Sequence, residues 1–167
     1  MTTPTIIIIA AMSENHCVGQ DGHLPWKLPD EWEYFKKTTD GKPFLIARKS
    51  YESPDGLYSS YRNVVVSSRD DLALDHQPAE QARSVEGALE SLQNEDEVFV
   101  LGGVSLFEEM LPRADKLYLT TVHATIEGDA YFPEIDWADW KEIYSDHHEV
   151  DERHAYAFSM KRFMRTR

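Results

Sequence analysis

The run Thr5–Met12, TIIIIAAM, restricts the fold of this chain more than any other stretch. It contains no charged residue, and its β-branched isoleucines favour extended backbone. A strand with one wet face alternates apolar and polar residues, and this one does not, so both of its faces must be covered. A strand inside a parallel sheet meets that demand, because crossover helices lie on both faces. The run is far shorter than the roughly 20 residues a membrane helix needs. No basic segment precedes it and no small-residue cleavage site follows, so it does not read as a signal peptide.

Further along, short β-rich runs alternate with helical segments. Strands are predicted at Thr5–Met12, Pro43–Ala47, Asn63–Ser67, Glu97–Leu101 and Lys116–His123. Helices are predicted at Asp30–Thr39, near Arg48–Ser53, at Ser84–Leu92 with Ser84 as N-cap, and at Val104–Met110. Trp140–His148 and His154–Phe163 then read as an antiparallel pair joined by the charged segment EVDER. At 167 residues the chain suits a single domain over 1–167. The expected fold class is α/β, a three-layer αβα arrangement whose central twisted sheet is mostly parallel and closes with a C-terminal antiparallel hairpin. Ligands bind such sheets at the carboxyl ends of the strands, here just after Met12, Ala47, Ser67, Leu101 and His123.

Charge narrows the partners. A net charge of −13 argues against nucleic acid, which needs a basic face. The distribution is uneven. Lys42, Arg48, Lys49, Arg62 and Arg69 face only Glu52 and Asp55, whereas residues 70–100 are acidic with Arg83 as their one base. A basic island in an acidic chain suits a small anionic ligand, and simple surface variation accounts for it equally well. Cys17 is the one cysteine, so no intrachain disulfide forms, which fits a reducing, cytoplasmic setting. The seven histidines include no pair at helical ligand spacing with a glutamate, and His147-His148 has no cysteine partners, so no metal is expected.

In HLPWKLPDEWEYFK, residues 23–36, two acids follow a stiff proline-flanked approach and open a helix. Pro29 sits in the first turn, where proline is tolerated, and acids there are favoured by the helix dipole. At 100° per residue Leu28, Trp32, Phe35 and Thr39 form one stripe, with Glu31 roughly 70° from its centre and Asp30 roughly 170° away, pointing to water. Glu31 therefore borders an apolar face. A partly desolvated carboxylate has a raised pKa and seeks a partner, and neither Lys27 nor Lys36 is placed to supply one. Both a capping acid and a ligand-binding carboxylate satisfy this pattern. The preceding polar loop carries Gly19 and Gly22 and is a candidate lid.

Two further segments bear on ligands. VFVLGGVSLFEEML ends a buried strand in Gly102-Gly103 and enters a helix, which permits close approach to a phosphate; tight strand–helix packing explains the glycines as well. ARKSYES and VVVSSRDD each put Ser and Arg at the end of a predicted strand, a rim suited to a monoester phosphate such as the 2′-phosphate of NADP.

Taken in order, AAMSENHCVGQDGHLPW, ARKSYES, RNVVVSS, VLGGVSLFEEMLP, KLYLT and EGDAYFP resemble dihydrofolate reductase over nearly the whole chain. The resemblance implies NADPH as cofactor and dihydrofolate and antifolate-type molecules as ligands. It implies hydride transfer to C6 of the dihydropterin with protonation at N5, no membrane, and a monomer. It gives Glu31 the pterin's amino group and ring N–H, and a part in N5 protonation through water. Trp26 and Thr120 match residues that orient that carboxylate. Ile9, Ala11, Leu24 and Phe35 would wall the pterin, and Lys36 and Arg62 would serve the rest of the substrate. Arg48, Lys49, Ser50, Ser67, Ser68 and Arg69 would hold the phosphates and adenine side of the cofactor. Ala11, Val18, Gly19, Leu101, Gly102, Gly103, Val104, Ser105, Leu106 and Phe107 would complete its site, with Gly102-Gly103 usually joined by a cis peptide. Gly19 and Asp129 belong to loops that close over the nicotinamide.

The chain also departs from that family. Tyr61 stands where an arginine usually clamps the substrate's glutamate carboxylate. Arg62 is one residue late and, in an extended segment, points to the opposite face. Ala47, Ser105, Phe107 and Ala130 replace the usual glycine, arginine, tyrosine and threonine. The expected consequence is weaker tail binding with the chemistry intact. Three alternatives remain open at this point: a reductase of the same fold acting on another pterin or pyrimidine, a non-catalytic NADPH- or folate-binding protein, and an acidic interaction module.

Overall fold

The computed structural model describes residues 3–20, 24–53 and 57–166. Gly22 of the expected lid and Asp55 of the basic segment lie outside the described residues. At the centre is β1 (Thr5–Ser13), hydrogen-bonded in parallel to β6 (Glu97–Val100) on one side and β7 (Lys116–Val122) on the other. Thr5 pairs with Glu97 and Ala11 with Thr120. Both faces of the isoleucine run are covered, and Ile7 and Ile8 are fully buried. Burial of each such side chain contributes roughly 1.5–3 kcal/mol.

Six parallel strands form one body of the sheet. Beyond β6 lie β3 (Pro43–Ala47), β4 (Arg62–Val66) and β5 (Ala79–Ala82), all parallel to it. On the other side β7 pairs antiparallel with β10 (Phe158–Arg165), and β10 with β9 (Trp140–His148), giving the order β5-β4-β3-β6-β1-β7-β10-β9. A separate two-stranded ribbon joins β2 (Cys17–Gly19) to β8 (Ala130–Tyr131).

The pleat sorts the core. Ile6, Ile8 and Met12 pack with Val85 and Ala88 of α3 (Val85–Ser91) and Leu106 and Met110 of α4 (Val104–Met110). Ile7 and Ile9 point the other way, with Phe44, Phe99, Tyr118 and Phe35 of α1 (Pro29–Thr39). A short α2 (Arg48–Tyr51) follows β3 and buries Tyr51. Ser84 caps α3 as expected, its hydroxyl accepting from Gly87 N–H at 3.0 Å. None of the described helices is long and apolar enough to cross a membrane.

One expectation changes. The strand predicted from His154 begins at Phe158 instead. Asp151 and His154 form an isolated bridge within the connection, where the His154 ring is buried and hydrogen-bonded rather than alternating in a ladder. The edge strand β5 and the β2–β8 ribbon carry too few residues to show a period in sequence.

Candidate active site

Glu31 enters from α1 above the carboxyl ends of β1 and β7. Helix position alone places it at the border of the apolar stripe, but the structure places it deeper. Glu31 is 5% exposed, while Trp32 and Phe35 remain only partly buried. Burial pushes its pKa up to about 7, against a smaller lowering by the hydrogen bond from Thr120. Among the described residues no cation pairs with Glu31. Thr120 is itself buried and stands beside Ala11 in the register of β1 and β7. Ala11 and Leu24 pack against buried Trp26, whose Nε1–H is buried without a hydrogen-bond partner among the described residues. A buried donor left unsatisfied is costly, and it suits a polar ligand or water. Ile9 and Phe35 meet Phe44 and Phe99 on the adjoining wall.

Past Phe35 a groove opens between α1 and the segment before β4. It is lined by Lys36, Phe44, Leu57 and Tyr58 among others, and among the described residues Lys36 is the one cation on it. Lys36 pairs with Glu33 at 3.2 Å on the surface. Arg62, also expected to serve the substrate, does not join this group. Its guanidinium is tied to Glu95 at 2.9 Å, to Glu80 and to the Ser91 hydroxyl at 2.8 Å, on the α3 side of the sheet. The Tyr61 hydroxyl also donates to Glu95, at 2.8 Å. The pleat sends position 62 to the face that carries Val64, away from α1.

At the other edge Gly102 and Gly103, joined by a cis peptide, lie between β6 and α4. Gly102 has φ +112°, and a Cβ there would meet the Phe107 ring at 3.1 Å. A Cβ on Gly103 would meet Ser50 Oγ at 3.3 Å. Bare backbone is therefore needed at this pair, with Ser50 close beside it. Leu101 is half-buried, and Val104 and Ser105 open α4. Leu106 and Phe107 turn inward, Phe107 against Phe132 at 4.9 Å, so Leu106 belongs to the core beneath the rim. Val18 packs on the same core from β2. The loops expected to close over the site are joined: Asp129 N–H donates to Gly19 O at 3.1 Å, and a Cβ on Gly128 would fall 2.3 Å from that oxygen.

The basic rim is present but internally paired. Arg48 bonds Glu52 at 2.8 Å and Arg69 bonds Asp71 at 3.1 Å, while Lys49 and Ser68 are exposed. The turn Ser67–Arg69 is held by residues that sequence reasoning passed over. Gln81 Nε2 donates to Ser67 O and Arg69 O, and Arg83 donates to Ser68 O at 3.1 Å. Their signal is tertiary, since β5 supplies Gln81 from the sheet edge and Arg83 follows directly after it. Asp30 also departs from expectation. It does not simply face water: it accepts from Arg153 at 3.0 Å, His148 Nε2 lies 3.0 Å from its Oδ2, and its backbone N–H donates to His154 Nε2 at 3.1 Å.

Comparison with known proteins agrees with this geometry. A model of the dihydrofolate reductase family matches residues 5–165. The chain is 33% identical to a dihydrofolate reductase of Staphylococcus haemolyticus over 97% of this chain and 96% of that one. It is 37% identical to that of Bacillus subtilis over 92% and 90%. A solved dihydrofolate reductase from Enterococcus faecalis, complexed with NADP(H) and RAB-propyl, superimposes with a TM-score of 0.85 at 30% identity, covering 99% of both chains. A buried acid over the ends of β1 and β7, a glycine pair after β6, and these matches along almost the whole length lead to one assignment: the chain belongs to the dihydrofolate reductase family.

Proposed function

We propose that this protein reduces 7,8-dihydrofolate to 5,6,7,8-tetrahydrofolate with NADPH, by hydride transfer to C6 and protonation at N5. The observation that carries the mechanism is Glu31, a carboxyl group buried beside Thr120 with its pKa raised to about 7. An acid poised near neutrality can hold or release a proton under working conditions. In this reading Glu31 accepts hydrogen bonds from the pterin's amino group and ring N–H. It also favours a proton reaching N5 through an ordered water. Thr120 and Trp26 orient it: the Thr120 hydroxyl fixes one oxygen, and the Trp26 Nε1–H, which donates to none of the described residues, is a donor for that water. Ile9, Ala11, Leu24 and Phe35 exclude bulk water from the ring.

NADPH supplies the hydride when bound. The residues present fit it, because Gly102-Gly103 carries no side chain of its own and Ser50 stands beside it. Arg48 and Arg69 would exchange surface carboxylates for phosphate, a trade with little penalty because exposed ion pairs are weak. On the substrate side Lys36 is the cation left on the groove for a tail carboxylate. A reductase of a different pterin is the second reading, favoured by the way Tyr61 and Arg62 both turn to Glu95.

The test follows NADPH absorbance with dihydrofolate, beside NADPH binding by fluorescence. Turnover in the native protein that collapses in Glu31→Gln, with cofactor binding retained, is the expected result. Binding without turnover on dihydrofolate, but with turnover on a tail-less pterin, would transfer the assignment to the second reading.

A further inference from the structure

At the N-terminus of α1, Asp30 meets the connection between β9 and β10. Asp30, His148, Asp151 and His154 each offer a ligand atom there, and these atoms all lie within 4.8 Å of one another. The hydrogen bonds around them sort donors from acceptors. His148 Nδ1 lies 2.7 Å from the Glu149 carbonyl, which can only accept, so Nδ1 carries hydrogen and Nε2 turns inward. His154 Nε2 accepts from Asp30 N–H, so its Nδ1–H donates to Asp151 Oδ1 at 2.7 Å. Asp30 Oδ1 is taken by Arg153, and Asp151 Oδ1 also accepts from Arg153 N–H. The Oδ2 atoms of both aspartates are left facing His148 Nε2, at 3.0 and 3.6 Å.

A neutral His148 would thus aim a lone pair at two carboxylate oxygens. A cation on those atoms relieves that conflict. Its charge would meet two carboxylates, and the outer nitrogen of each histidine is already held by an acceptor, as imidazoles that ligate metals require. The spacings suit the ion as well. Tetrahedral ligands at about 2.0–2.1 Å from zinc stand roughly 3.3 Å apart. The inward pairs here span 3.0 Å (His148–Asp30), 3.6 Å (His148–Asp151) and 3.9 Å (His154–Asp30). His154 is fully buried and fixed, whereas His148 and the aspartates are reachable from solvent.

We propose that this cluster is a binding site for a divalent transition ion of the zinc class, separate from the residues assigned to the reaction. His148 Nε2, Asp30 Oδ2 and Asp151 Oδ2 are the primary ligands. His154 Nε2 is a fourth, exchanged from the Asp30 amide when the ion enters. Imidazole ligands select zinc, cobalt or nickel over magnesium or calcium. The bound ion would cross-link the β9–β10 connection to the first turn of α1.

The test titrates metal-free protein with Zn²⁺ by calorimetry and follows Tm. One site per chain is expected, with Tm rising by about 5–10 °C at a hundredfold excess over Kd. His148→Gln, which changes a partly exposed side chain, should abolish both effects while leaving the metal-free Tm near that of the native protein. His147→Gln is the control for the neighbouring pair formed by His123 and His147 across Ser159, and should leave binding unchanged. Cobalt in place of zinc should give the intense absorption of a tetrahedral, nitrogen-ligated ion. Absence of a one-to-one site, survival of binding in His148→Gln, or its loss in His147→Gln would each overturn the proposal.

Discussion

On the outer side of the first turn of α1, Asp30 has polar partners: Arg153 donates to its carboxylate, His148 Nε2 stands 3.0 Å from it, and its own amide donates to the buried ring of His154. On the inner side, one residue later, Glu31 has the Thr120 hydroxyl and apolar walls. A rotation of about 100° separates the two carboxyl groups. The outer acid keeps water and the Arg153 guanidinium at hand. The inner one is held near neutrality, since burial penalises its charge and, among the described residues, no cation offsets it. Identical functional groups thus become an anchor and a proton-holding group through environment alone.

The sharpest way to break this contrast is Glu31→Gln. Turnover should fall by about 10²-fold or more at pH 7 and above, the range expected for loss of an acid–base group. Stability should move the other way. A carboxyl group with a folded pKa raised to about 7 destabilises the native state progressively as pH rises from 4.5 to 7. At pH 8 the glutamine variant should therefore be more stable than the native protein by up to about 3 kcal/mol, with the difference gone below pH 4.5. Urea unfolding at the two pH values measures it.

Thr120→Val comes next. It removes the hydrogen bond that favours the ionised form, so the Glu31 pKa climbs further. The decline of kcat with pH should shift upward by about one unit. An unchanged midpoint would mean that the hydroxyl does not act on Glu31. Trp26→Phe deletes the buried unpartnered N–H and should lower kcat by about fivefold, the worth of one hydrogen bond, with KM for NADPH unaffected. Asp30→Asn should do least. A partly exposed ion pair is worth under about 1 kcal/mol, so a thermal melt should move only slightly and kcat should stay within about fivefold. If Asp30→Asn cost as much activity as Glu31→Gln, the two sides of the turn would not differ as described.

Much of this was legible because local chemistry agreed with the global fold. Four isoleucines in a row cannot be half wet, and they became the central parallel strand. Pro29 and the helical stripe located α1 and brought Glu31 to the apolar side. The glycine pair marked the bare backbone after β6. What escaped was information that exists only across long separations. His154 reads as strand because its neighbours alternate, yet its ring turns inward to cap a helix begun over a hundred residues earlier. Gln81 and Arg83 look like ordinary polar residues until β5 places them against Ser67–Arg69. The position of Arg62 followed from the period of two, but its partners Glu80, Ser91 and Glu95 lay in a segment that charge alone marked as merely acidic.

The order of strands in the sheet also has a consequence in time. β1 leaves the ribosome well before its two neighbours, β6 and β7, and Thr5 must wait for Glu97. At ordinary rates of synthesis that interval is on the order of 5–20 s. Throughout it, the most apolar segment of the chain has neither edge paired, and such a segment is what holdase chaperones capture and what neighbouring nascent chains stick to. The strand that makes the finished sheet secure is therefore the point at which the chain is most exposed while it is being made.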